Sequence, residues 1–325
     1  MYRRVPPSSA RPDRLSAYRR LTPRDRLLLS WLAEHYLLST DQIHRALFDS
    51  RRTAQQRLTI LHRLQVLDRF TFSSANGVPE MPYLYTLGPV GLRRHPDAYH
   101  DPDNHGLKAP RSSVERADRI ARSRKLAHLL GVNQFFVDLH AHTRTHPGTA
   151  LARCWSEQHA TAAFHRAGIH PDGHGIWHAQ ATTVGYFLEH DRGTENIARV
   201  VAKLRGYERL AGHGVAFPVL LWVPTARRQA NLLDALHGPP FAMPVAVGVH
   251  GHDPAGPVWA LTTDPFRRRA LHQLPSDPGP AGYPDPTTDD EDGDRDDDWP
   301  AGHDEFADND EFDDEFYDDR TGDRL

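Results

Sequence analysis

The feature that most constrains this chain is an abrupt separation of charge along its length. Residues 285–325 hold 20 aspartates and glutamates against three arginines, a net charge of −17, whereas the whole chain of 325 residues carries only −4. A segment with so much like charge and so little apolar surface cannot offset the entropy lost on ordering. We therefore predict a disordered acidic tail over residues 271–325 and a folded body before it.

The body has the opposite charge, because residues 1–284 carry +13. A basic body joined to an acidic tail is typical of a nucleic-acid-binding protein whose tail competes for its own basic surface. Two other roles of the tail stay open. It can serve solubility alone, or its repeated acidic and aromatic pieces (DEF, DDEF) can bind a protein partner.

Several functional classes are disfavoured by what the sequence lacks. The single cysteine, Cys154, excludes a disulfide framework and a zinc site built from cysteines. No apolar run approaches the roughly 18–20 residues of a membrane span. The first residues have no apolar core of a secretory signal. No Walker-type loop, GxSxG motif or zinc-binding histidine spacing occurs. We expect a cytoplasmic protein without a membrane partner.

Residues 1–20 are rich in Arg, Pro and Ser, and we expect them to be flexible. The segment 21–92 then predicts three short helices followed by a β-hairpin. Thr22 is suited to cap the first helix, with Pro23 at its first position. The extended pieces 67–72 and 83–87 flank an Asn76-Gly77 turn signal. This order of elements is typical of a winged helix-turn-helix, which reads DNA with its last helix.

The third of these helices carries the residue types that contact DNA. Its leucines fall on one stripe, and its polar side chains lie elsewhere around the helix. Arginine and glutamine reach phosphates and base edges in the major groove. The candidate DNA-binding residues are Arg51, Arg52, Gln55, Gln56, Arg57 and Arg63. A protein-interaction module with an ordinary polar helix face is the alternative.

A Pro-, Asp- and His-rich stretch over residues 93–112 is the predicted linker to a second domain, residues 113–270. That domain begins with one long or broken helix up to residue 144. Strand-like runs then alternate with two helical segments, 194–211 and 227–236. Such an order predicts a mixed α/β sheet with helices on its faces.

The second domain contains one cluster with chemical potential. Asp172 lies in a turn before a strand, Glu189 and Asp191 lie at the end of the next strand, and Lys203 follows in a helix. Two carboxylates on neighbouring strands can hold a hard cation such as Mg²⁺. A nearby lysine can stabilise charge that develops on a scissile phosphate. Glu157, after the first strand of the domain, is a further candidate ligand.

The spacing from Pro171-Asp172-Gly173 to the EHDRGTE…KLRGY segment resembles the PD-(D/E)XK, restriction-endonuclease-like superfamily. Residues 20–262 resemble more closely the replication-relaxation family of actinobacterial plasmid and integrative-element proteins. This resemblance implies a DNA-binding winged helix joined to a nuclease-like domain, with a role in plasmid replication or DNA relaxation. Asp172, Glu189 and Lys203 would then be the catalytic residues, and the first two, with Asp191 and Glu157, the metal ligands.

One departure keeps the function open. Where the superfamily has its third-motif lysine, this chain has Asp191, so Lys203 on the following helix would have to take that place. We therefore favour an accessory or regulatory protein that binds double-stranded DNA. An active Mg²⁺-dependent endonuclease is the alternative, and a cofactor is expected only in that case. A non-catalytic protein-interaction adaptor is a third reading, because Pro-Asp-Gly is also an ordinary turn and Glu189 can form a structural ion pair.

Overall fold

A computed structural model describes residues 2–7, 14–74, 81–99, 110–280 and 282–283. The described residues belong to one compact unit that ends at Pro284. This unit is a mixed α/β protein with an N-terminal four-stranded antiparallel sheet and a following seven-stranded mixed sheet. The predicted Asn76-Gly77 turn and the acidic residues 285–325 lie outside the described residues.

The first sheet has the strand order β1-β3-β4-β2, with every neighbouring pair antiparallel. Its strands are β1 (Tyr2–Val5), β2 (Leu38–Ser39), β3 (Leu67–Phe72) and β4 (Leu84–Leu87). The helices around it are α1 (Arg14–Arg19), α2 (Pro23–His35), α3 (Thr40–Leu47) and α4 (Arg51–Arg63).

Local capping signals explain where two of these helices begin. Thr22 caps α2 through the backbone N–H of Asp25, and the Asp25 carboxylate accepts from the backbone N–H of Thr22. Ser39 and Gln42 form the same reciprocal pair at the start of α3. Each pair satisfies two backbone donors that a helix start leaves open. The predicted capping role of Thr22 is confirmed.

The N-terminal segment is more ordered than its composition indicates. Residues 2–5 form the edge strand β1 against β3, and the Arg4 guanidinium donates to the buried Asp68 carboxylate at 2.6 Å. The helix α1 follows at Arg14. The expected flexibility of residues 1–20 therefore does not hold for these two elements. Strand pairing and the Arg4–Asp68 ion pair hold β1, whereas Ala17 of α1 is buried in the core and the Tyr18 hydroxyl donates to the carbonyl of Val90.

The first part of the predicted linker, residues 93–112, contains the end of one helix and a 3₁₀ turn, and the next helix begins directly after the linker. Between the sheets lie α5 (Gly91–Arg94), a 3₁₀ turn (Pro96–Tyr99), α6 (Ser113–Arg122) and α7 (Leu126–Thr145). The long helix predicted up to residue 144 is broken at Ser123, which adopts an extended backbone between α6 and α7. Residues 100–109 lie outside the described residues.

The second sheet has the strand order β11-β10-β9-β8-β7-β6-β5. Its strands are β5 (Thr149–Ser156), β6 (Gly173–Ala179), β7 (Thr182–His190), β8 (Val219–Val223), β9 (Val245–Val249), β10 (Trp259–Leu261) and β11 (Asp264–Arg269). Its remaining helices are α8 (Glu157–Ala163), α9 (Ile197–Gly212) and α10 (Ala226–Ala235). Strands β7, β8 and β9 run parallel and are joined by the crossover helices α9 and α10, whereas the other neighbours are antiparallel.

Both faces of this sheet are covered by apolar side chains. Phe135 and Phe136 of α7 pack with Trp222 and Trp259 on one face. Leu204 of α9 and other aliphatic side chains cover the opposite face. Burial on two faces explains why the central strand FPVLLWV is almost continuously apolar.

Helix α7 also joins the second sheet to the first. The amide of Asn133 donates to the carbonyls of His35, at 3.1 Å, and Leu37, at 2.7 Å, at the end of α2. The amide of Gln42 in α3 donates to the carbonyl of Leu130 at 2.9 Å. Because these bonds are buried or partly buried, the segments that the sequence separates by a linker pack directly against one another.

The described residues after β11 continue the folded body. Leu271 and Leu274 are buried in the core beside α7, and Ala216 pairs with Asp277. The predicted start of the tail at residue 271 therefore includes a segment that packs on the sheet. None of the helices in the described ranges combines the length and the apolar character needed to cross a bilayer.

Candidate functional site

The hairpin of β6 and β7 brings two of the predicted carboxylates together. Gly173 lies opposite Leu188 in the antiparallel register, so the preceding Asp172 comes beside Glu189 at the same end of the hairpin. Helix α9 starts beyond this end, with Asn196 as its cap, and crosses back over the sheet. Residues distant in sequence therefore meet where β7 ends and α9 begins.

Glu189 is the buried centre of this carboxylate cluster, which we define as Asp172, Glu189 and their hydrogen-bonding partners. One Glu189 carboxylate oxygen accepts from the Tyr207 hydroxyl at 2.6 Å. The other oxygen accepts from the Lys203 ammonium at 3.0 Å. Lys203 also approaches the Glu195 carboxylate at 3.3 Å. The predicted convergence of Glu189 and Lys203 is therefore present in the structure.

Asp172 is held from a different direction. One of its oxygens accepts from the backbone N–H of His190 at 2.7 Å. The other lies 3.1 Å from Nε2 of His128 in α7. Burial alone would raise the pKa of Asp172, but the hydrogen bond and charge of His128 outweigh it and lower that pKa. Asp172 is therefore the ionised member of the carboxylate pair.

The two carboxylates titrate differently because their surroundings differ. Burial, followed by the negative charge of Asp172, raises the pKa of Glu189 to about 7. Burial would lower the pKa of Lys203, but the charges of Glu189 and Asp172 outweigh it and raise that pKa. A carboxyl whose pKa lies near neutrality is suited to general acid–base chemistry.

The remaining predicted metal ligands are engaged elsewhere. Asp191 accepts from the Arg228 guanidinium at 2.6 Å and from the backbone N–H of Gly193 at 2.6 Å. Glu157 forms an ion pair with Lys125 at 3.0 Å. The charge of Glu157 still contributes to raising the pKa of His128, the partner of Asp172. Neither acid contacts Glu189 through a described hydrogen bond.

The donor chemistry of the carboxylate cluster suits a hard divalent ion. Asp172 and Glu189 supply the oxygen atoms that Mg²⁺ prefers. Each already contacts a protein nitrogen, from His128 and Lys203 respectively, so an incoming cation would replace an existing partner. Within the described ranges, no three His, Cys, Asp or Glu side chains are arranged to hold a metal ion.

The candidate DNA-binding helix α4 has one buried stripe and one solvent-facing side. Ala54, Leu58 and Leu61 are buried in the core of the first sheet. We define the exposed α4 face as four candidate residues that are exposed on the other side of the helix: Arg52, Gln55, Gln56 and Arg63. Arg51, at the first position of α4, is also exposed but falls beside the buried stripe. Arg51 forms an ion pair with the half-exposed Asp41 at 2.8 Å.

Arg57 has a different role from the one predicted. Its Nε donates to the buried Asp25 carboxylate at 3.0 Å, and its Nη2 donates to the carbonyl of Arg20 at 2.7 Å. At about 100° per residue, Arg57 falls beside the core stripe rather than opposite it. Its guanidinium ties α4 to the start of α2 and does not belong to the exposed α4 face.

Sequence reasoning missed two members of the carboxylate cluster, Tyr207 and His128, and it also missed Glu195, which contacts Lys203. Tyr207 follows Lys203 by four positions in α9, and this spacing places the two side chains on one side of a helix. That signal was available in the KLRGY segment. No local pattern identifies His128, because α7 reaches Asp172 only through the packing of the sheet.

The comparisons with known proteins identify the chain at the family level. Residues 29–220 match the model of the replication-relaxation family, a range that covers both α4 and the carboxylate cluster. No curated protein and no solved structure matches the chain.

Proposed function

Because the chain belongs to the replication-relaxation family, we propose that it acts in plasmid replication as an accessory protein that binds duplex DNA. In this proposal α2, α3, α4 and the β3–β4 hairpin work as a winged helix-turn-helix, and α4 enters the major groove. The observation that carries the proposal is the exposed α4 face, with two arginines and two glutamines on the side away from a buried stripe.

The charges around α4 support a polyanionic partner. Arg52 and Arg63 are exposed, and the body of the chain is basic overall. Arginine binds phosphate through a planar fork of donors, and glutamine can pair with adenine in the major groove. The same face would be costly to bury against an apolar protein surface, because each unpaired arginine would lose its hydration.

The test measures binding of the full chain to a labelled duplex by fluorescence anisotropy over a series of salt concentrations. We expect Arg52→Ala with Arg63→Ala to weaken binding by about tenfold and to reduce the salt slope by about two, since each phosphate contact contributes about 0.9. Arg166→Ala, an exposed arginine on a distant 3₁₀ turn, is the matched control. Unchanged affinity and slope in the double variant would reject α4 as the DNA contact.

A second candidate function is metal-dependent cleavage of DNA by the seven-stranded sheet. The observation in its favour is the meeting of Asp172, Glu189 and Lys203, the three residues that the superfamily resemblance selects. Mg²⁺ held by Asp172 and Glu189 would activate a water and stabilise charge on the phosphate. Lys203 would orient the phosphate, and Tyr207 would keep the Glu189 carboxylate in place.

Cleavage is tested by incubating supercoiled plasmid with the full chain and Mg²⁺ or Mn²⁺. An active site of this kind predicts nicking that is lost in Asp172→Ala and in Glu189→Gln. Asp234→Asn, an exposed acid of α10, should nick like the wild type. Absence of nicking together with normal duplex binding would leave the accessory role and exclude the endonuclease.

A further inference from the structure

The outer edge of the second sheet carries an irregular strand, β11. Ala260 of β10 pairs with Arg268, and the next residue of β10, Leu261, pairs with Asp264. Residues 265–267 of β11 therefore have no partner on β10 and form a bulge. Bulges commonly redirect side chains at sheet edges and beside functional sites.

The bulge presents one aromatic side chain to solvent. Phe266 is 98% exposed, far more than the other exposed large apolar residues of the described chain, which reach 39%. Single apolar residues on a surface are ordinary, but an aromatic ring this exposed has no packing role in the fold. Its position at the centre of the bulge means that the backbone irregularity and the exposed ring occur together.

Three arginines follow Phe266 directly in β11. Arg267 and Arg268 are exposed, and Arg269 is neutralised by Asp264 at 2.9 Å. The Arg268 guanidinium donates to the Gln229 side-chain oxygen at 2.9 Å, and the Gln229 amide in turn donates to the carbonyl of Val247. Arg268 is therefore held in position by a buried amide and loses less freedom when it binds a ligand.

The arginines of β11 determine which kind of partner this open sheet edge favours. Arginines on an edge strand discourage pairing with another strand, and two copies of this edge would repel each other. A polyanion is attracted instead. Phosphates satisfy the arginines, and a nucleobase offers the flat apolar surface that Phe266 requires. In a closed duplex the base faces are covered by their neighbours, so the ring requires an unpaired base.

We propose that the β11 bulge binds unpaired nucleotides, with Phe266 stacked on a base and Arg267 and Arg268 on the adjoining phosphates. This inference rests on the proposed DNA-binding function and adds the form of DNA: a duplex that contains a short melted or gapped stretch. β11 lies four strands from β7, a path of about 19 Å at the usual strand spacing. The bulge is thus a contact separate from the carboxylate cluster.

The experiment compares two labelled probes, a closed duplex and the same duplex with a central bubble of unpaired bases. Anisotropy with the full chain gives Kd for each. Phe266→Ala is expected to weaken bubble binding by about fivefold or more, the loss typical of one stacked base, and to leave duplex binding within twofold. Phe266→Trp keeps an aromatic face and should retain the bubble affinity.

Two further variants complete the test. Arg267→Ala with Arg268→Ala should weaken bubble binding and reduce its salt slope by about 1.4, since each single-strand phosphate contributes about 0.7. Val114→Ala, at an exposed apolar residue of α6, is the control and should match the wild type. Thermal melting of Phe266→Ala should be unchanged, because the ring has almost no buried surface.

The results distinguish failure of nucleotide binding by the β11 bulge from failure of the proposed DNA-binding function. Equal bubble affinities in the wild type and Phe266→Ala would overturn the inference and leave duplex binding intact. Tighter binding in Phe266→Ala would also overturn it, because that result means that the chain's own acidic residues occupy the bulge. If the wild type binds neither probe, the proposed DNA-binding function itself fails.

Discussion

The exposed α4 face and the carboxylate cluster differ in how far their charged side chains are exposed to solvent. On the exposed α4 face the arginines and glutamines are open to solvent. In the cluster, Glu189 is buried and already accepts from Lys203 and Tyr207. A polyanion that binds the exposed α4 face, as proposed, would need no rearrangement of side chains. A ligand of the carboxylate cluster would have to replace a protein partner.

The largest effect that would sharpen this comparison is expected within α4 itself. Arg57→Ala should lower the free energy of unfolding by about 2–3 kcal/mol, because it leaves the buried Asp25 carboxylate without its cation. Arg52→Ala should change it by less than about 0.5 kcal/mol, as is usual for an exposed side chain. Urea denaturation measures both. Equal losses would mean that the α4 arginines do not divide into a structural and an exposed class.

The second prediction concerns Lys203 in the carboxylate cluster. Lys203→Met keeps the aliphatic length but removes the ammonium, so we expect a loss of about 1–2 kcal/mol at pH 8, limited by the partial exposure of the lysine. The loss should shrink at pH 5, where Glu189 is protonated. Lys125→Met, which removes the partner of the more exposed Glu157, is the control and should cost less at pH 8. A loss independent of pH would count against charge pairing as its cause.

The third prediction uses the raised pKa of Glu189, about 7 in the folded chain against 4.5 for the ordinary carboxyl. Between these values the folded state binds the proton more tightly, so this group's contribution to stability falls as pH rises from 4.5 to 7. The difference in unfolding free energy between the wild type and Glu189→Gln should therefore decline over that range and become constant above about pH 8. Using the difference cancels the titration of buried histidines that the charge of Glu189 does not shift, such as His35 and His174. A flat difference would show that the pKa of Glu189 is not raised.

The smallest effect is expected for the amides of the exposed α4 face. Gln55→Ala with Gln56→Ala should leave stability unchanged and alter affinity for a random duplex by less than about twofold, since neither side chain carries the charge that dominates non-specific binding. The salt slope should also be retained. A large loss of random-duplex affinity would mean that α4 contacts the backbone through its amides, which would weaken the proposal of base reading by this helix.

The sequence predicted those parts of the fold that local signals determine. Thr22 marks a helix start through a side chain that bonds to the first turn of α2. The apolar stretch Phe217–Val223 indicates a buried strand by composition alone. The meeting of Glu189 with Lys203 was also expected, but from the superfamily resemblance, which required a lysine on the helix after the strand.

The features that were not predicted depend on contacts between distant segments. β1 is four residues long and gains its order from β3 and from the Arg4–Asp68 ion pair. His128 reaches Asp172 because α7 packs on the sheet. Arg57 looks like any surface arginine until the packing of α4 against α2 brings Asp25 to it. In each case the structural role depends on a partner that is distant in sequence, so the local sequence does not reveal it.

Helix α7 supplies core residues to the second sheet and hydrogen bonds to the elements around the first. Because both sheets pack against this one helix, we expect α4 and β7 to move little relative to each other. DNA bound by α4 would consequently contact the rest of the protein at a fixed distance along the axis of the duplex. Footprints of the protein on different plasmids should then share one spacing between their most strongly protected positions.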